Sequence, residues 1–138
     1  MAARWRVSSS TPSGAIVDPG PAIARVVAAG ACVVFDDPVL ALEADRFTSS
    51  RPGCPAQVDP YGMWLADGHG GGPPAAAPYS PALVAAWRAE LSRADDVVLT
   101  SASSGYVPWT PALRSLLARR FVPVLSVQDA VVYARGKR

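Results

Sequence analysis

Along this chain, proline recurs at the front of apolar-periodic runs. Four dipeptides show it: Gly20-Pro21, Asp37-Pro38, Ser80-Pro81 and Thr110-Pro111. Proline suits the first helical position, because its missing N–H would be unpaired there anyway. An Asp, Ser or Thr just before it accepts the free N–H groups of the first turn. Each site therefore predicts a helix start. The first helix is expected over 21–29, closed by Gly30 in a left-handed conformation. A short second helix is expected over 38–45. In a third, over 81–94, Leu83, Trp87 and Leu91 share one stripe with Val84 alongside. In a fourth, starting at Pro111, Leu113, Leu116 and Leu117 face inward while Arg114, Arg119 and Arg120 face water.

Between these helices lie short continuous apolar runs at 31–35, 96–100 and 121–127. That is the pattern of strands buried on both faces. Gln128-Asp129 then turns the chain into a further strand, 130–135, expected antiparallel at the sheet edge. Alternating helices and strands predict an α/β fold, with a mainly parallel sheet of about four strands flanked by helices. The polar stretch 1–18 reads as an arm or linker, and 19–138 as a single α/β domain, in keeping with a length of 138 residues. The segment 47–79 is rich in Pro and Gly and holds one apolar cluster, from Tyr61 to Leu65. Loops of this length tend to be functional.

Composition narrows the function classes. Half the residues are apolar, which argues against disorder. Net charge is +2, and the arginines are scattered apart from pairs such as Arg119-Arg120 and Lys137-Arg138. No nucleic-acid partner is expected from such a distribution. The longest apolar stretch, 22–35, is short of a membrane span and is broken by Arg25. The opening residues MAARWRVSSSTPSG contain no apolar core of a signal peptide. The two cysteines, Cys32 and Cys54, match no zinc or redox spacing. A buried inert thiol is the default for Cys32, and a disulfide with Cys54 would require an oxidising compartment.

Several catalytic patterns fail. His69-Gly70-Gly71-Gly72 looks like an esterase oxyanion loop, but no G-x-S-x-G elbow exists and His69 is the only histidine. Neither a dinucleotide fingerprint nor a Walker A loop is present. No cofactor is expected. No convergent ligand set predicts a metal either. Asp37 reads as a helix N-cap. Asp36 ends a strand of a parallel sheet, where ligands commonly bind. Asp96 is expected to begin a strand at the opposite edge.

Three segments carry a resemblance: ACVVFDDPVLALEADRF, then VDPYGMWL, then DVVLTSASSGYVPWTPALRSLLARRFVPVL with a closing VVYAR. Together they resemble the C-terminal soluble domain of polytopic GT-C glycosyltransferases, which use polyprenyl-phosphate sugars. The family pattern is a strand ending in Asp-x-Pro, a short helix leading to an Arg, a Val-Asp segment, a Tyr–Pro loop after a strand, and a terminal Tyr-x-Arg strand. The matching positions are Asp36, Pro38, Arg46, Val58-Asp59, Tyr106, Pro108, Tyr133 and Arg135. The family's catalytic carboxylates lie in the transmembrane bundle, which this sequence lacks.

The resemblance implies an accessory domain that covers the active-site face and positions the acceptor, inactive as an isolated chain. Its partners would be a transmembrane glycosyltransferase bundle or a saccharide acceptor. It would then be membrane-associated and extracytoplasmic. A free-standing cytoplasmic module binding a small ligand or a protein is the alternative. Expected acceptor or ligand contacts are Asp36, Tyr106 and Trp109, with Tyr61 and Trp64 reaching over from the long loop. Trp64 and Trp109 would otherwise plug the ends of the core. The family pattern also suggests that Arg46 and Asp59 pair to pin the loop.

Overall fold

The computed structural model describes residues 18–54, 60–68, 79–101 and 103–137. The N-terminal arm, Cys54's neighbours through Asp59, and the His69 glycine run lie outside the described residues. The order of elements is α1 (Pro19–Val26), β1 (Val33–Phe35), α2 (Pro38–Glu43), α3 (Pro60–Ala66), α4 (Pro81–Arg93), β2 (Asp96–Leu99), α5 (Ser103–Tyr106), α6 (Pro111–Arg120), β3 (Phe121–Val127) and β4 (Ala130–Arg135).

The cap signals act as their chemistry predicts. Asp37, Ser80 and Thr110 each accept a first-turn N–H, from Val39, Leu83 and Leu113. The first helix departs from expectation. It starts two residues early, because Asp18-Pro19 is itself a cap and proline pair, and Asp18 Oδ1 accepts from the Gly20 N–H at 2.9 Å. Gly20 then falls inside α1, where a Cβ would stand 2.5 Å from the Glu43 carbonyl oxygen of α2. The helix ends at Val26, so Gly30 (φ +78°) serves the turn beyond it instead of capping it.

The fold is α/β, with one four-stranded sheet flanked by helices and its last strands antiparallel. The spatial order is β1-β2-β4-β3. β1 and β2 pair in parallel, while β4 runs antiparallel to both its neighbours. The sheet is therefore mixed. Three strands share one direction, and β4 is inserted between two of them. This corrects the expected place of β4 at the edge, which β3 takes instead. Pro123 explains it: proline has no N–H to give to a ladder and is confined within sheets to edge strands or bulges. The ladder also shifts register between Pro123 and Leu125.

Each sheet face carries its own core. Ile23 of α1, Val27 just after it, and Leu40 and Ala41 of α2 pack on Val33, Phe35, Val98 and Val132. Leu83, Trp87, Leu91, Leu113 and Leu116 of α4 and α6 pack on Val34, Val97, Leu99 and Phe121. Alternate residues of β1 and β2 thus point to opposite layers, and both strands are buried throughout.

Candidate functional site

The parallel strands β1 and β2 end side by side at Asp36 and Thr100. Their last ladder bond runs from the Asp36 N–H to the Val98 carbonyl at 3.1 Å. Beyond it no strand backbone remains to receive the Thr100 N–H. The Asp36 carboxylate takes that place: Oδ2 accepts from the Thr100 N–H at 2.7 Å and from the Thr100 hydroxyl at 2.8 Å. Asp36 is 5% exposed, and its Oδ1 is buried with no hydrogen-bond partner among the described residues. Burial pushes its carboxyl above the usual carboxylate range, against the two Thr100 bonds that favour the charged form. Asp36 therefore ties two strand ends together beneath the surface.

Thr100 and the segment after it open into a cleft of about 740 Å³. The cleft lies between α6 and the β3–β4 hairpin. Its apolar walls come from Trp109, Leu117, Phe121 and Tyr133, and its hydroxyls from Thr100, Ser101, Ser103 and Ser104. Arg114 and Asp129 add one charge of each sign. Ser101 Oγ donates to Asp129 Oδ2 at 3.1 Å, which joins the loop after β2 to the hairpin turn. Trp109 is half-buried. Its indole N–H donates to the Ser103 carbonyl at 3.0 Å, and the Arg114 guanidinium sits 5.5 Å from the ring centre. A smaller hollow of about 340 Å³ flanks the same sheet end on the α1–α2 side and shares Thr100 and Asp129 with the cleft.

The expected contact residues divide. Asp36 and Trp109 lie at one end of the sheet, and of the expected residues only Trp109 lines the cleft, where it is joined by Thr100, which the sequence did not single out. Tyr106 meets Trp64 edge-on, ring centres 5.9 Å apart, and Trp64 is fully buried. This pair fastens α3 to α5 and does not line the cleft. Tyr61 lies in the first turn of α3, and its side chain is outside the described residues. So is Asp59. The Arg46 guanidinium donates to the carbonyls of Ala24, Val27, Ala44 and Asp45, which closes the C-terminal end of α1. Sequence reasoning did not single out Ser101, Ser103, Ser104, Arg114 or Asp129. The available signal was a serine-rich loop directly after a doubly buried strand, the usual place for a site in an α/β sheet.

At the opposite sheet end, residues 46–54 form a strap. Ser49 Oγ and the Ser50 N–H both donate to the Gly30 carbonyl, at 2.8 and 3.1 Å. Arg51 forms an ion pair with Asp95 and also donates to the Arg93 carbonyl. Cys54 closes the strap through a disulfide to Cys32. Among the described residues no helix is long and apolar enough to cross a membrane, and no group of side chains could hold a metal ion.

Compared with known proteins, the chain matches no family model, no curated protein and no solved structure.

Proposed function

We propose that this chain is a soluble accessory domain of a GT-C-type membrane glycosyltransferase, standing on the extracytoplasmic side and contacting the saccharide acceptor through its cleft. The observation that carries the reading is the make-up of that cleft. Sugar rings present apolar C–H faces that stack on aromatic rings, and their hydroxyls need donors and acceptors around the edge. Trp109 and Tyr133 supply the first, while Ser101, Ser103, Ser104 and Asp129 supply the second. A pocket that is apolar with a few placed polar groups is the common form of a small-molecule site. The disulfide supports the location, since such bonds persist in oxidising compartments. Chemistry on the donor would belong to the membrane-embedded part, and the isolated chain binds without turning over.

The test is a titration of the isotope-labelled chain with methyl glycosides, followed by NMR. Saturable shifts at the Trp109 indole and at the Ser101 and Asp129 amides are expected. Trp109→Ala should abolish them and leave the spectrum folded. Absence of any saturable shift, or shifts that survive Trp109→Ala, would remove the acceptor reading.

A further inference from the structure

Cations from two segments far apart along the chain meet in the fold. Arg119 and Arg120 end α6, and Lys137 follows β4. β3 and β4 form a hairpin in which Phe121 lies opposite Arg135. One more backbone bond, from the Gly136 N–H to the Arg120 carbonyl at 2.8 Å, carries the chain past α6. The result is a notch of about 230 Å³ lined by Arg119, Arg120, Arg135, Gly136 and Lys137. Four of these five residues are cationic and none is acidic. The notch lies at the sheet end opposite the mouth of the cleft.

Cations near a helix C-terminus are often explained by the carbonyls there. Here two of those acceptors are already taken. The Leu117 carbonyl receives the Phe121 N–H and the Arg120 carbonyl receives the Gly136 N–H. Arg135 spends its guanidinium on the Ser92 and Ala94 carbonyls at the end of α4, and Arg119 donates to Ser115. Arg120 and Lys137 are exposed, and the ion pair formed between described residues is elsewhere, at Arg51–Asp95. Like charges gathered around a concavity repel one another, and an anion in that concavity reverses the sign of the interaction. Arg with Lys is the pairing that grips phosphate oxygens, the one by a planar fork and the other as a point charge.

We infer that this notch is a phosphate-group site, with Arg120 and Lys137 as its principal ligands, Arg119 beside them and Arg135 as a fixed wall. The same chemistry is offered by a phospholipid headgroup and by a free phosphate, and two arms distinguish them. In the first arm, inorganic phosphate is titrated into the labelled chain at constant ionic strength, chloride being the counter-titrant. In the second, the chain is sedimented with phosphatidylcholine vesicles with and without phosphatidylglycerol. The double variant Arg120→Ala/Lys137→Ala is compared with a charge-matched control, Arg25→Ala/Arg88→Ala, which removes two exposed arginines elsewhere.

Saturable shifts at Arg120, Gly136 and Lys137 with phosphate assign a soluble phosphate. Sedimentation with the anionic vesicles alone assigns a lipid headgroup. In either arm the double variant should bind roughly tenfold more weakly, as expected for lost hydrogen bonds to a charged group. The control should bind like the parent chain, and Arg120→Lys/Lys137→Arg should restore binding. If neither probe binds, or if the control weakens binding as much as the double variant, the site does not exist.

Discussion

Asp96 shows how a single residue can be well placed by pattern and still carry an unforeseen cost. It begins β2, where the apolar run predicts a strand start, and it is buried beside Ala134 of β4. Burial, and after it the neighbouring Asp95 charge, pushes its carboxyl up to about 6 from 3.8. The folded chain therefore holds this proton more tightly than the unfolded chain does. By linkage, the contribution of Asp96 to stability falls as pH rises from about 4 to about 6, and it is unfavourable above that. Asp96→Asn should match the parent chain below pH about 4 and exceed its unfolding free energy at neutral pH, by on the order of 1–3 kcal/mol. Urea unfolding of both proteins across that range checks the sign and the window. Asp36 teaches a related lesson. Its position at a strand end was legible, but its carboxylate is spent on Thr100. That outcome depends on the β1–β2 register, which the local pattern of neither strand contains.

Among elements, the helices were the most legible, because cap, proline and stripe are short-range signals. The start of α1 was misread only where two such signals stood two residues apart, at Asp18-Pro19 and Gly20-Pro21. The side-chain acceptor of Asp18 decided between them. Strand order was less legible. The turn at Gln128-Asp129 specifies a hairpin, yet it does not say which strand of the hairpin meets β2. Pro123 held the answer and belongs to the edge. The strap 46–54 was read only as the start of a long loop. Its two serines, Arg51 and Cys54 are each ordinary in a loop, and they converge only because Gly30, Asp95 and Cys32 share one sheet end. The disulfide closes a separation of 22 residues. Restricting the unfolded chain over such a loop contributes about 3 kcal/mol. Cys54→Ser should lower the unfolding free energy by about that amount. Reductant should do the same to the parent chain and nothing to the variant. Cys54 is the position to change, since Cys32 is fully buried and its loss would add a packing defect.

At the scale of the whole molecule, the two proposed sites lie at the two ends of one sheet. The C-terminal ends of β1 and β2 carry the cleft, and the other end carries the strap and the basic notch. The sequence suggested the first end through Asp36, Tyr106 and Trp109, and of these only Trp109 lines the cleft. The pair Arg119-Arg120 and Lys137 stand out in the sequence, but their meeting at the second end does not, because their segments are joined by the hairpin and not by proximity in the chain. A disulfide at the strap places a condition on where such a molecule can work. The central claim is that the domain stands on the extracytoplasmic face, as the proposed glycosyltransferase role requires, and the disulfide reports on that location directly. Intact cells that naturally make the protein are treated with a membrane-impermeant maleimide, before and after a membrane-impermeant reductant, and the mass of the chain is read. The account predicts no label before reduction and label on Cys54 after it, without lysis. Thiols that react only once the cells are broken, with no reductant needed, would place the chain in the cytoplasm and contradict it.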